Sequence, residues 1–272
     1  MFLTFVCFAA NFAIRGGLQK LMFNLFNHPF LLLAITFPVL WCATLVGRWF
    51  HTRTKEFGQD SHDDFQFVVG GTLTLLVLII GFTFSMAVSR YDMRKNYEEQ
   101  EANAIGTEYV RADLLPPSDA ARVQALLKNY LTQRILNYRT RDMHQLREID
   151  AETARLQTEL WSAVVKPGIE QPTQIRALVV SGMNDVLNSQ GYTQAAWWNR
   201  IPAGAWALMV LISIFCNLLV GYGAHGRSGS VFLILPIALS ISLFLIADID
   251  APRGGVILVH PQNLEALAVS LH

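Results

Sequence analysis

Phe67–Ser89 reads FVVGGTLTLLVLIIGFTFSMAVS, 23 residues without a charged side chain. A run of that length restricts the chain more than any other feature. At 1.5 Å per residue about 20 residues cross the hydrocarbon core of a bilayer, and a helix satisfies all its backbone groups there without water. Three further apolar runs accompany it: Pro29–Trp49, Ile201–Tyr222 and Val231–Ala247. Composition agrees, with 52% hydrophobic and only 15% charged residues, against about a quarter charged in soluble domains. The expected fold class is therefore an all-α membrane protein with four transmembrane helices in a 2+2 arrangement.

Between the pairs the character changes. Residues 90–202 carry fourteen basic and fourteen acidic side chains, so this stretch reads as a water-facing helical domain. From Arg90 to Leu114 no breaker but Gly106 interrupts the pattern, and the second spanning helix should continue out of the membrane as one rod. Leu115-Pro116-Pro117-Ser118-Asp119 ends it, and Ser118 or Asp119 should cap a helix over 119–140. Further helices are expected over 145–165, stopped by Lys166-Pro167-Gly168, and over 173–189, stopped by Asn188 and Gly191. The domains follow: an apolar or interfacial N-terminal segment 1–28, spanning helices within 29–89, the helical domain 90–202, spanning helices within 203–248, and a tail 249–272. Residues 1–21 read as an interfacial helix, a cleaved signal or an over-long start, since Met22 begins a second plausible one.

Charge and side-chain chemistry exclude several function classes. Net charge is zero, which gives a nucleic-acid partner no support. Cys7, Cys42 and Cys216 all sit in apolar runs and read as small buried hydrophobes. The seven histidines are scattered without ligand spacing, and no triad, phosphate loop or paired acid and base is evident. The reading is of no enzyme and no cofactor. With four spans, the termini and the helical domain share a side. Arg15, Lys20, Arg90, Arg94, Lys95, Arg200 and Arg253 lie there, against Arg48, Arg53, Lys55 and Arg227 opposite. That bias places the termini and the domain in the cytoplasm.

Gly81-Phe82-Thr83-Phe84-Ser85-Met86-Ala87-Val88-Ser89-Arg90-Tyr91-Asp92, then Glu101-Ala102-Asn103-Ala104-Ile105-Gly106-Thr107 and Arg111-Ala112-Asp113-Leu114-Leu115-Pro116, resemble the bacterial membrane family of unknown function labelled bestrophin-like. The likeness covers about residues 25–270 and extends to Asp248-Ile249-Asp250-Ala251-Pro252-Arg253-Gly254-Gly255. It implies a bacterial inner membrane location. A more distant similarity, through Gly81-Phe82 and Arg90-Tyr91, is to bestrophin ion channels, pentamers whose second helix lines the pore and narrows at an apolar neck. That resemblance implies a homopentamer in the lipid bilayer conducting small inorganic ions, with Thr74, Leu78 and Phe82 at the neck. Animal bestrophins bind calcium at an acidic cluster after the fourth helix. Asp248 and Asp250 alone fall short of six to eight oxygens, and pairing with Arg253 or Arg90 is expected instead.

Positions 74, 78, 82, 85 and 89 recur at helical spacing, so Thr74, Leu78, Phe82, Ser85 and Ser89 share one face. An apolar ring beside hydroxyl steps suits a gate that closes by dewetting. The same helix offers the packing alternative, with Gly70, Gly71, Gly81 and Ser85 at helix contacts. Glu98, Glu101 and Glu108 also share a face. They read either as a carboxylate ring concentrating cations in a vestibule or as a solvated face paired with Arg94, Lys95 and Arg111. Asn217, inside the third span, should hydrogen-bond a neighbouring helix. The alternative function is a non-conducting scaffold or sensor whose helical domain binds a partner, since no ionisable residue lies within a span.

Overall fold

The computed structural model describes residues 28–53, 59–170, 173–223 and 231–271. Expectations for the N-terminal segment and for the turn after the third span fall outside them. Eight α-helices are described: α1 Pro29–Arg53, α2 Gln59–Arg111, α3 Pro117–Arg139, α4 Met143–Glu170, α5 Gln174–Trp198, α6 Ala203–Tyr222, α7 Ile234–Asp250 and α8 Gln262–Ser270. Short 3-10 turns, Ala112–Leu114 and Val231–Leu233, follow α2 and precede α7. No strand occurs among the described residues.

Among the described residues, three helical stretches are long and apolar enough to cross a membrane: Pro29–Arg53, Asp64–Leu114 and Gln174–Tyr222. The fourth expected span, α7, has 17 residues and falls just short of the usual 18.

The chain divides into two units. One takes the described residues up to Ser89 together with Arg200–Leu258, and the other takes Arg90–Asn199 with the residues from Val259 on. In the first, α1 packs along α6 and α7, and Leu40, Leu76, Cys216 and Leu239 bring α1, α2, α6 and α7 into one apolar cluster. The α1–α6 crossing is close because it is built on reciprocal glycines. A Cβ on Gly47 would stand 2.1 Å from the Leu218 carbonyl oxygen, and one on Gly221 the same distance from that of Thr44. Beside it, Thr44 Oγ1 lies 3.1 Å from Asn217 Oδ1, while Asn217 Nδ2 donates to the Ser213 carbonyl at 2.7 Å. Asn217 thus bridges two helices, as expected of an amide in an apolar span.

In the second unit, α2 continues from the apolar run as one helix of 53 residues, about 80 Å long. Helices α3, α4 and α5 bury Val123, Leu127, Leu156, Leu160, Val179 and Met183 against its outer half. Three boundaries differ from the sequence reading. Pro117 occupies the first turn of α3, with Pro116 at the cap position, so a fixed φ starts the helix rather than Ser118 or Asp119. Helix α4 runs to Glu170; Pro167 falls in its last turn, so the one backbone bond that proline cannot donate is lost at the helix end rather than in its middle. Helix α5 passes Asn188 and Gly191 because Thr193, Ala196 and Trp197 are buried beyond them, and packing outweighs weak propensity. Its start is capped by Thr173, whose hydroxyl accepts the Arg176 N–H at 3.2 Å.

Candidate functional site

Helix α2 is two-faced through its apolar half. Leu76, Thr83 and Ala87 are buried, with Leu73 and Ile80 partly so. These positions recur every three or four residues and form the stripe that meets the chain's own helices. Thr74, Leu78, Phe82, Ser85 and Ser89 are all exposed, Leu78 by 52% and Phe82 by 67%. Of the apolar window of α2, 11% of residues are buried, against 33% in α1. Most of the α2 window has no cover from the described residues.

The glycines sharpen the point. A Cβ on Gly70, Gly71 or Gly81 would meet nothing within 4 Å. The small residues offered as packing sites on α2 therefore mark no helix contact among the described residues, and the contact glycines between spans there are Gly47 and Gly221. Sequence reading missed that pair, although both lie inside apolar runs where small residues let backbones approach. The hydroxyl of Thr74 donates to the Gly70 carbonyl at 2.9 Å. Its proton is spent on the helix, and what it turns outward is an oxygen acceptor.

The three glutamates lie in neither setting that the sequence suggested. Glu98, Glu101 and Glu108 are 1%, 0% and 0% exposed, inside the helical unit rather than on a vestibule wall or a solvated face. Ala102, Ile105 and Ala112 are buried with them, so the acidic stripe is also the core-facing stripe of α2. Glu98 caps α8: Oε1 accepts the N–H groups of Asn263 and Leu264 at 2.9 and 3.0 Å, and Oε2 accepts Asn263 Nδ2 at 2.6 Å. Glu101 forms a close buried ion pair with Arg134 of α3 and accepts the Thr193 hydroxyl of α5 at 3.1 Å. Burial alone would lower the Arg134 pKa, but the Glu101 charge outweighs it and holds the guanidinium above its ordinary range. Burial, reinforced by Glu101, pushes the Tyr130 and Tyr138 hydroxyls up. Arg134 was legible in principle, because it continues the stripe of Leu127, Tyr130 and Leu131 on α3.

Glu108 differs from both. Neither of its carboxylate oxygens has a hydrogen-bond partner, and it lies directly against the backbone of Gly182.

Asp248 and Asp250 end α7. Asp248 accepts the N–H groups of Val256 and Ile257, each at 2.8 Å. Asp250 accepts the Ile201 N–H at 3.1 Å and faces Arg200 Nε at 3.4 Å. Arg200, which the sequence reading did not weigh as a partner, is thus one arginine bridged to Asp250. Both aspartates bind backbone: Asp248 takes N–H groups of the chain that follows α7, and Asp250 takes the N–H of Ile201 just before α6, groups that would otherwise lack acceptors. Among the described residues no group of three or more His, Cys, Asp and Glu could hold a metal ion.

The profile of the bestrophin-like domain family matches residues 38–264. No curated protein matches the chain. Among solved structures, a bacterial bestrophin homologue from Klebsiella pneumoniae superposes with a TM-score of 0.61 at 14% identity, covering 89% of this chain and 95% of that one. Two single-substitution variants of a Klebsiella pneumoniae homologue give TM-scores of 0.60 and 0.57 at 12% and 14% identity. Each covers 89% of this chain, and they are themselves covered to 93% and 95%.

Proposed function

This chain belongs to the bestrophin-like family, and on that premise we propose that it assembles as a ring of copies, five favoured, conducting small inorganic ions along an axis lined by α2. Membership places it among non-catalytic membrane proteins. The observation that carries the proposal is the bare face of α2. Thr74, Leu78, Phe82, Ser85 and Ser89 stand exposed on the uncharged stretch Phe67–Ser89 of α2, whose other side is packed on its own chain. A single such helix cannot enclose a pathway, whereas several copies turning this face inward can. Leu78 and Phe82 then form the apolar constriction, with Thr74 on one side and Ser85 and Ser89 on the other. The buried glutamates stand outside this path.

The proposed topology is 2+2, within a bacterial inner membrane. The 3-10 turn Val231–Leu233 extends α7 by three residues to a spanning length. Asp250 at the exit of α7 accepts the N–H of Ile201 at the entry of α6. Those two ends therefore lie at one level, as a hairpin crossing twice requires. The termini and the helical unit lie on the cytoplasmic side.

Single-particle imaging of the purified protein, followed by ion flux in liposomes, tests the proposal. A closed ring with Thr74, Leu78 and Phe82 on its axis is the expected result, with Phe82→Ala raising flux several-fold. A monomer or dimer would remove the pore. So would a Phe82→Ala variant that loses assembly without any gain of flux, because truncating a packed Phe costs about 3–5 kcal/mol.

A further inference from the structure

Glu108 is fully buried in the helical unit, and neither carboxylate oxygen has a hydrogen-bond partner. Its position is built by glycine. A Cβ on Gly182 of α5 would stand 2.0 Å from Glu108 Oε2 and 2.5 Å from Arg111 Nη1, so both side-chain ends lie in the space a larger residue would fill. The charged groups acting on Glu108 are Arg111, on its own helix, and Asp185, one turn along α5 from Gly182. They oppose each other: the guanidinium favours an ionised Glu108, and the Asp185 carboxylate disfavours it. A buried charge without hydrogen bonds is far costlier than a buried neutral acid.

We propose that Glu108 is a proton-binding site, neutral while α2 and α5 are closed on each other at Gly182, and that its ionisation loosens this contact. The helical unit then senses proton concentration through one α2–α5 contact. Burial, partly offset by Arg111 and aided by Asp185, raises the Glu108 pKa from 4.5 to about 8. The sign of the linkage follows. Below about pH 4.5 folded and unfolded chains both hold the proton. Between there and about 8 only the folded unit holds it, so stability falls as pH rises. Above 8 both have lost it and the loss stays constant. The window brackets neutrality, so ordinary pH changes alter the occupancy of the site.

The test is thermal unfolding of the full chain in detergent from pH 6 to 9, for wild type and Glu108→Gln. The wild-type midpoint is expected to drop by about 5–10 °C over that interval, while Glu108→Gln stays nearly flat and exceeds wild type at pH 9. Parallel curves for the two proteins would overturn the proposal. Wild type alone gives an independent reading, which stands even where the variant does not fold. Difference infrared spectroscopy between pH 6 and 9 should show a protonated-carboxyl band lost on raising pH. Hydrogen exchange around Gly182, corrected for intrinsic rates, should rise over the same range. A carboxyl band absent at pH 6, or exchange around Gly182 that ignores pH, would show Glu108 ionised throughout and sink the idea.

Discussion

Three glutamates on one stripe of α2 meet the same problem, a carboxylate taken out of water, and meet it in three ways. Glu98 gives its oxygens to the start of α8, Glu101 to Arg134 and Thr193, and Glu108 faces Gly182 without a partner. The costs of removal should differ accordingly. Glu101→Ala strands the Arg134 charge in the core and should cost about 3–5 kcal/mol, read as a fall in the chemical-denaturation midpoint. Replacing both partners with apolar residues, Glu101→Leu with Arg134→Met, should recover most of that loss, because the pair's own attraction is largely spent on desolvation. Glu98→Ala removes a cap and should cost about 1 kcal/mol. Its clearer signature is faster proteolysis of the tail, since Glu98 holds the first N–H groups of α8. The shared face of these residues was legible from their spacing. Its direction was not, because a solvated stripe and a buried one have the same period. The deciding sign lay in the interleaved Ala102, Ile105 and Ala112, which mark a core face that carries acids.

At the scale of elements, the apolar runs announce α1, α2 and α6 directly, and the unbroken helical pattern past Ser89 announces that α2 is a single rod. Helix ends were less legible. Pro117 starts a helix, and Pro167 and Gly191 are carried inside one; for Gly191 the cause is what packs beyond it, which no local pattern contains. Contacts between spans were also hidden, since an apolar helix looks alike on every side. The glycines separate the cases. Gly221→Ala would press a methyl to 2.1 Å from a backbone oxygen of α1, and the crossing can only widen. That should cost about 1–3 kcal/mol and weaken the Thr44–Asn217 bridge. Gly71→Ala meets no described atom beyond the backbone of its own helix and should leave thermal stability in detergent unchanged or slightly raised. The paired thermal midpoints check both; equal losses would mean that the α1–α6 crossing is not the tight contact of this unit.

At the scale of the molecule, one chain leaves bare a face that is apolar at Leu78 and Phe82 and hydroxylated at Thr74, Ser85 and Ser89. Lipid could cover the first two, but a ring of copies accounts for all five, since hydroxyl steps beside an apolar constriction serve a water-filled axis better than an acyl chain. The alternatives differ in what a reporter at position 82 would touch. In a background with Cys7, Cys42 and Cys216 replaced, Phe82→Cys treated with a short bis-maleimide should give linked pairs that stop at about four chains in five, because each thiol bonds one partner only and a ring of five leaves one copy over. Phe215→Cys, exposed on α6, serves as the lipid-facing control and should stay monomeric under the same treatment. Linking that runs to completion, with no chain left over, would make the contact a closed pair with no room for a path. Linking at position 215 but not at 82 would turn the ring inside out and place α2 against lipid. Only linked pairs with one chain in about five left over at position 82, and none linked at 215, are consistent with ions passing between α2 helices in a ring of five, and this can be read before any current is measured.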